Sequence, residues 1–499
     1  MIKIIRIMLV VLICQLCIKV SASSFKDPQN STAILRVILD SNSTVNSKIW
    51  ISYKNHLWPT RIPSIPNTLI ESKGNDNMFH INFLQKERAA YVSILSSVEP
   101  NIDDFIIEPG DSIVCTLYND KWYFTGRGYE KFQCQYDIYQ AKTFVPRNMS
   151  IRPETKRNGD IEDLNASYAD WLADSFRIDL KSSYTSSEIA LNVLNWYKEN
   201  LSEFTYNLIK ANLISLQEVS DVKSLLQLNS LYGENNTNIS NRKKLLKTVS
   251  DLYSTRKKYD LNLFPDSILA YSGRFLSYET SLSDSVSFAN LKNKYKGFLR
   301  DRLLTIFFLN NYKKNLKMAN WLQDALPLVM DQNCKELLLE LVNSLSPGRP
   351  AFDFSLQDTS KKNVKLTDFR EKIVFMDFWF TGCGACKQLT EAMKPVIEYF
   401  KNNPRVVFIG VSIDGDFEDW KKSVRSGQYS NEGSIDLYTN GLKSNHPIIK
   451  HYGFSGYPNL LLIDGRGNII TGSPPRPVWS SPTKTNELIT LIEDNLKKL

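Results

Sequence analysis

Two cysteines three residues apart, Cys383-Gly384-Ala385-Cys386, follow directly on the apolar run Ile373-Val374-Phe375-Met376-Asp377-Phe378-Trp379-Phe380. Such a run suits a buried strand, and Lys387 to Tyr399 continues in a helical pattern. Cys383 is therefore expected at a helix N-terminus, where the positive end of the dipole and free N–H groups favour thiolate over thiol. A second thiol one turn into the helix can attack a mixed disulfide formed on the first. Spacing and context fit two-thiol exchange. Asp377 has no cheap structural explanation, because burying a lone carboxyl in an apolar strand is costly.

Other chemistries for the pair are weaker. A zinc site needs two more ligands, and only His446 and His451 stand nearby. A purely structural disulfide would need neither so short a loop nor a helix N-terminus. Of the chain's 7 cysteines, Cys14 and Cys17 fall in the N-terminal segment. Cys115 alternates with Ile113 and Leu117 on a face expected to be buried, and Cys134 begins a helical stretch. A Cys115–Cys134 bridge in an exported domain is left open. Cys334, near Leu337, Leu338 and Leu341, is expected as a small core residue.

The elements that must hold the pair lie in a chain of 499 residues, roughly three domains at about 150 residues each. At 42% hydrophobic and 23% charged, the composition excludes a largely disordered chain. A net charge of +8, with no basic block, gives no footprint for nucleic acid. Lys3 and Arg6, an apolar run to Ile18 and then Val20-Ser21-Ala22 read as a signal peptide over 1–22, with a retained anchor as the alternative. No later run has 18 consecutive apolar residues, so the mature protein is expected to be soluble.

Residues 23–150 are expected to form a β-rich domain, a small sandwich or barrel. Its strands include Ala33–Leu39, Lys48–Tyr53 and Ser112–Tyr118, punctuated by Pro109-Gly110-Asp111, Gly126 and Gly128. Residues 151–345 read as an all-α domain without a recurring repeat signature. There Leu194, Tyr197, Leu201, Phe204 and Leu208 step along one helix face. Further helices are expected over Lys243–Tyr259, Leu291–Asn311 and Lys335–Leu345, with Trp171, Trp196 and Trp321 as packing residues. Ser346-Pro347-Gly348-Arg349-Pro350 ends the helical pattern and opens a polar linker. Residues 346–499 then alternate strand and helix, as an α/β domain does.

This last stretch resembles the TlpA-like and redoxin-type thiol–disulfide oxidoreductases. The resemblance rests on Asp377-Phe378-Trp379 ahead of Cys383 and on the lead-ins Pro350–Leu356 and Val364–Phe369. Downstream it rests on Gly453-Phe454-Ser455-Gly456-Tyr457-Pro458 before Asn459–Asp464. More loosely, Ile107–Ser112 and Phe124–Gly128 are similar to the N-terminal accessory domain of multidomain periplasmic members from Gram-negative bacteria.

The resemblance implies a thioredoxin-like α/β fold, a central mixed sheet flanked by helices. It makes Cys383 the attacking thiolate, Cys386 the buried resolving thiol and Asp377 a desolvated carboxyl that accepts the Cys386 proton. It also implies a cis bond before Pro458, which with Tyr457, Gly384, Ala385 and Trp379 would meet a substrate peptide. Trp379 would be part core and part shield over the sulfurs. The function implied is reduction of protein disulfides by an exported, periplasmic protein, with electrons from a membrane-bound donor and without a cofactor. An oxidase or isomerase remains an alternative, as does a partner-binding protein whose redox domain senses or delivers. Gly382, Ala385 and Glu391 depart from the family's Trp and two prolines, which leaves the potential open. Peroxidase chemistry fits poorly, since Thr381 stands too close to Cys383 and lacks its proline.

Overall fold

The computed structural model describes residues 32–39, 50–54, 68–71, 78–84, 87–95, 101–143, 166–231, 239–255, 259–281, 285–312, 317–454, 456–478 and 482–499. The segment read as a signal peptide, 1–22, lies outside these residues. The chain divides into two compact units, one holding the described residues up to Tyr259 and the other those from Asp260 on.

The first unit opens with eight strands: β1 (Thr32–Leu39), β2 (Trp50–Lys54), β3 (Thr68–Glu71), β4 (Met78–Leu84), β5 (Ala90–Leu95), β6 (Ile102–Ile107), β7 (Ser112–Tyr118) and β8 (Lys121–Arg127). They form two sheets, ordered β4-β1-β7-β8 and β3-β2-β5-β6. Strict alternation along β1 and β7 sends Leu35, Val37, Ile113 and Cys115 inward, where they share one core with Ile51 and Ile94 of the other sheet. The expected sandwich is what forms. Helix α1 (Tyr129–Thr143) adds Phe132 to that core, edge-on to Phe105 at 5.5 Å.

Three longer helices follow: α2 (Ala166–Trp196), α3 (Glu203–Leu231) and α4 (Ile239–Thr255). The face expected to run unbroken from Leu194 to Leu208 belongs to two helices. Leu201 turns extended (φ −111°, ψ 148°), and the Ser202 hydroxyl accepts from the Thr205 N–H at 3.1 Å, starting α3. Trp196, expected to pack, is instead 77% exposed at the end of α2.

In the second unit come α5 (Asp266–Leu269), α6 (Gly273–Glu279), α7 (Ser285–Lys294), α8 (Gly297–Asn311), α9 (Lys317–Ala325) and α10 (Gln332–Leu345). The single helix expected over Leu291–Asn311 is interrupted, because Lys296 is extended (φ −136°, ψ 164°). Trp321 does pack, stacked on Phe288 at 5.2 Å. The segment read as a polar linker is stitched to the sheet that follows: Gly348 N–H donates to Ile469 O at 2.7 Å, and Ile469 N–H to Arg349 O at 2.8 Å.

The C-terminal sheet contains β9 (Ser355–Asp358), β10 (Asn363–Lys365), β11 (Ile373–Trp379), β12 (Val406–Ser412), β13 (Ile435–Tyr438), β14 (Asn459–Ile463) and β15 (Ile469–Thr471). Interleaved with them are α11 (Gly384–Phe400), α12 (Phe417–Arg425), α13 (Pro447–Tyr452) and α14 (Pro482–Leu496). Strand order is β10-β9-β13-β12-β11-β14-β15, with β11, β12 and β13 mutually parallel and β14 antiparallel to β11. This is the expected mixed α/β sheet. Phe375 of β11, Leu389 and Met393 of α11, and Leu488 and Ile492 of α14 pack into one core on one face. Phe378, of opposite parity, packs on Phe454 at 4.7 Å on the other. Among the described residues no helix is long and apolar enough to cross a membrane.

Candidate active site

Strand parity sets the geometry. Phe375 packs against α11 and Trp379 shares a cluster with Cys383 and Cys386, so Asp377 between them faces the same helix. The loop after β11 is held by Asp414, whose carboxylate accepts from Thr381 N–H at 2.8 Å and from the Thr381 hydroxyl at 2.7 Å. Gly382 then takes φ +95°, a conformation costly for any side chain, and donates its N–H to the Tyr429 hydroxyl at 2.7 Å.

That turn delivers Cys383 as the N-cap of α11. Its sulfur accepts the Cys386 N–H at 3.1 Å. The two cysteines are joined by a disulfide with Cα atoms 5.2 Å apart. Cys386 has no exposed surface and Cys383 keeps 5%. Gly384 and Ala385 between them are exposed.

Around the sulfurs is an aromatic shell. Trp379 stacks on Tyr429 with centroids 4.9 Å apart and planes 3° from parallel. Trp379 is wholly buried, so its expected share of the substrate surface is corrected: it is core packing in the cluster that holds both cysteines. The exposed aromatic at the rim is its neighbour Phe380, edge-on to Tyr457 at 5.8 Å. Tyr457 packs against the cluster holding both cysteines, and its bond to Pro458 is cis. Parity along β11 was a usable signal, since Phe380 directly follows the last buried strand residue.

Beneath the pair lies a second polar feature. Asp377 of β11, Gly410 of β12 and Asp436 of β13 are register partners in one row across three strands. They line a cleft with about 30 Å³ of room for water, closed above by Thr390 and Met393 of α11. Burial raises the Asp377 pKa to about 7; Arg476 opposes the rise and Asp436 adds to it. Burial likewise raises Asp436 to about 6, against a 2.6 Å hydrogen bond donated by Ser430. Sequence reading found Asp377 but not Asp436, Gly410, Tyr429 or Arg476, which the fold brings in from four other segments.

The other candidates lie apart from this chemistry. His446 accepts from Ile448 N–H at 3.3 Å to cap α13, and His451 packs its ring on Phe352 at 5.3 Å. Cys115, Cys134 and Cys334 are buried and free, so the Cys115–Cys134 bridge is absent. Burial pushes the thiols of Cys134 and Cys334 up to about 12, which leaves them inert as nucleophiles.

Comparison with known proteins meets the same stretch of chain. A family model described as thioredoxin-like matches residues 371–469. The thiol-disulfide oxidoreductase ResA of Bacillus subtilis is 28% identical over 127 residues, covering 26% of this chain and 66% of ResA, a little under two thirds. The thioredoxin-like protein YneN of the same organism is 28% identical over 125 residues, covering 25% of this chain and 69% of YneN. Among solved structures, the thioredoxin domain of a thiol-disulfide oxidoreductase from Bacteroides vulgatus is 26% identical. That match covers 30% of this chain and 98% of the domain, with a TM-score of 0.26. With the mixed sheet and the Cys383–Cys386 helix cap in place, the chain carries a C-terminal thioredoxin-like domain that is similar to thiol–disulfide oxidoreductases.

Proposed function

We propose that the protein is a thiol–disulfide oxidoreductase that reduces protein disulfides through Cys383 and Cys386. The observation that carries this reading is the position of Cys383, which caps α11 with its sulfur on the Cys386 N–H. After reduction of the disulfide, that N–H and the helix dipole favour the Cys383 thiolate. The thiolate attacks one sulfur of a substrate disulfide. The substrate S–S bond breaks, and its departing thiolate takes up a proton. Cys386 then passes its proton to Asp377 and attacks the Cys383 sulfur. The mixed disulfide breaks, the Cys383–Cys386 bond forms and the second substrate thiol leaves. Two electrons have moved from the protein dithiol to the substrate. A dithiol donor must restore them, a role that a membrane-bound donor fills in the resembled family.

A carboxyl titrating near pH 7 suits the proton step, since general-base catalysis works best with a pKa near the operating pH. Substrate backbone would pair beside Pro458, with Phe380, Tyr457, Gly384 and Ala385 forming the rim. Export to an oxidising compartment belongs to the same proposal and rests on the Lys3-to-Ala22 pattern alone. The experiment is insulin reduction with dithiothreitol. Acceleration by the wild type and none by Cys383→Ser supports the reading; equal rates sink it. Direction is read from the potential: a value near about −270 mV fits a reductase and one near about −120 mV an oxidase.

A further inference from the structure

Three buried polar atoms around the cleft have no hydrogen-bond partner: Asp377 Oδ1, Asp436 Oδ1 and Trp379 Nε1. Such groups are rare in folded proteins, because each carries its full desolvation cost. They are not scattered. A Cβ on Gly410 would stand 3.0 Å from both Asp436 Oδ1 and Trp379 Nε1, so both atoms close on the bare backbone of Gly410, which lines the cleft with the two carboxyls. Trp379 is itself wholly buried, in one cluster with both cysteines. The cleft has room for water, and among its otherwise largely apolar lining it offers two carboxyl acceptors, Asp377 and Asp436, partners that a buried water needs.

We propose that Asp436 is a positioning residue for the proton step, holding with Asp377 a shared proton and water in the cleft beneath α11, by which the Cys386 proton leaves and returns. The proposal rests on the thiol–disulfide reading above. Two carboxyls facing one small, largely apolar cleft cannot both ionise cheaply, so the pair keeps one proton where a single carboxylate would lose it. On one side the cleft reaches α11 through Thr390, whose hydroxyl donates to the Cys386 carbonyl at 3.1 Å. On the other, partly exposed Ser430 donates to Asp436 Oδ2 at 2.6 Å and offers a way out to solvent. The remaining charged or titratable groups acting on the pair are Arg476, which favours ionised Asp377, and Tyr429 in the lining. From α11 and β12 the lining receives only neutral side chains. In the resolving step Cys386 loses a proton to the pair and bonds to the Cys383 sulfur as the Cys383–substrate S–S bond breaks and the substrate thiolate leaves; when a donor dithiol later opens the Cys383–Cys386 disulfide, the pair returns the proton to the Cys386 thiolate.

The test uses the full chain, with infrared titration of protonated carboxyl bands and single-turnover resolution of a Cys383 mixed disulfide followed against pH. Asp436→Asn removes the charge that adds to the burial-driven rise of Asp377. The Asp377 band and the midpoint of the resolution profile should both move to lower pH. Ser430→Ala, which leaves the carboxyls in place, should hold the Asp436 proton to higher pH, so the test survives if Asp436→Asn folds poorly. The double variant Asp377→Asn/Asp436→Asn should resolve no more slowly than Asp377→Asn alone. Unshifted titrations in an active protein, or independent losses in the double variant, would overturn this proposal alone. Shifted bands in a wild type that exchanges no disulfide would overturn the proton path together with the oxidoreductase reading.

Discussion

Replacing Asp377 by Asn should change the pH dependence of stability, and its sign follows from the structure. The folded protein holds the Asp377 carboxyl at about 7, against 3.8 for the unreacted side chain in the unfolded chain. The folded state therefore binds the proton more tightly, and stability is lost as pH rises from the unfolded value toward the folded one. At about 1.36 kcal/mol per pKa unit, the full loss above neutrality is about 4 kcal/mol. Part is already incurred by mild acid, so about 2–3 kcal/mol falls between about pH 5 and pH 8. Asn does not titrate. The Asp377→Asn variant should therefore gain on the wild type by that amount across the window, about 5–10 °C in Tm for a domain of this size. Scanning calorimetry of the oxidised full-length protein reads it, in the transition of the C-terminal domain. Arg476→Ala should steepen the wild-type slope, since Arg476 opposes the rise. Parallel wild-type and Asp377→Asn curves over the whole window would refute the reasoning, because they would mean that Asp377 is solvated in the native state.

Other expectations come from single residues. Gly382→Ala forces a side chain onto φ +95°, so it should cost about 1–3 kcal/mol and slow insulin reduction, both measurable on one preparation. Gly410→Ala places a methyl 3.0 Å from Asp436 Oδ1 and Trp379 Nε1; it should lower Tm by an amount equivalent to about 1–3 kcal/mol and perturb the near-ultraviolet signal of Trp379. Ser202→Ala removes the hydroxyl that caps α3 and should cost about 1 kcal/mol, seen in the thermal transition of the N-terminal unit.

What could be read from the chain depended on how local the signal was. The β11 run was legible because a buried strand needs a nearly unbroken apolar stretch, and the spacing of Cys383 and Cys386 is itself one helical turn. Asp377 stood out as the charge in that stretch. Asp436 could not stand out, for Ile435-Asp436-Leu437-Tyr438 reads as an ordinary edge of alternation. Only the register that sets it beside Gly410, and Gly410 beside Asp377, makes it a partner. The α2–α3 break was hidden for another reason. Apolar residues keep helical spacing across Tyr197–Leu201, and only the Ser202 cap marks the restart. Trp379 was misplaced because sequence offers no way to tell a ring exposed beside the sulfurs from one buried among them. The bridge left open for Cys115 and Cys134 fails because each is buried and unpaired on its own element, a strand and a helix.

The central claim is that Cys383 and Cys386 exchange electrons as a pair while the other cysteines stand aside. The most direct measurement equilibrates the full-length protein in glutathione buffers of graded potential, alkylates the free thiols and counts them residue by residue by mass spectrometry. The account requires one two-electron transition confined to Cys383 and Cys386, abolished by Cys383→Ser, with Cys115, Cys134 and Cys334 unchanged throughout. A pair that stays oxidised at every potential, or a transition that draws in a third cysteine, would contradict it.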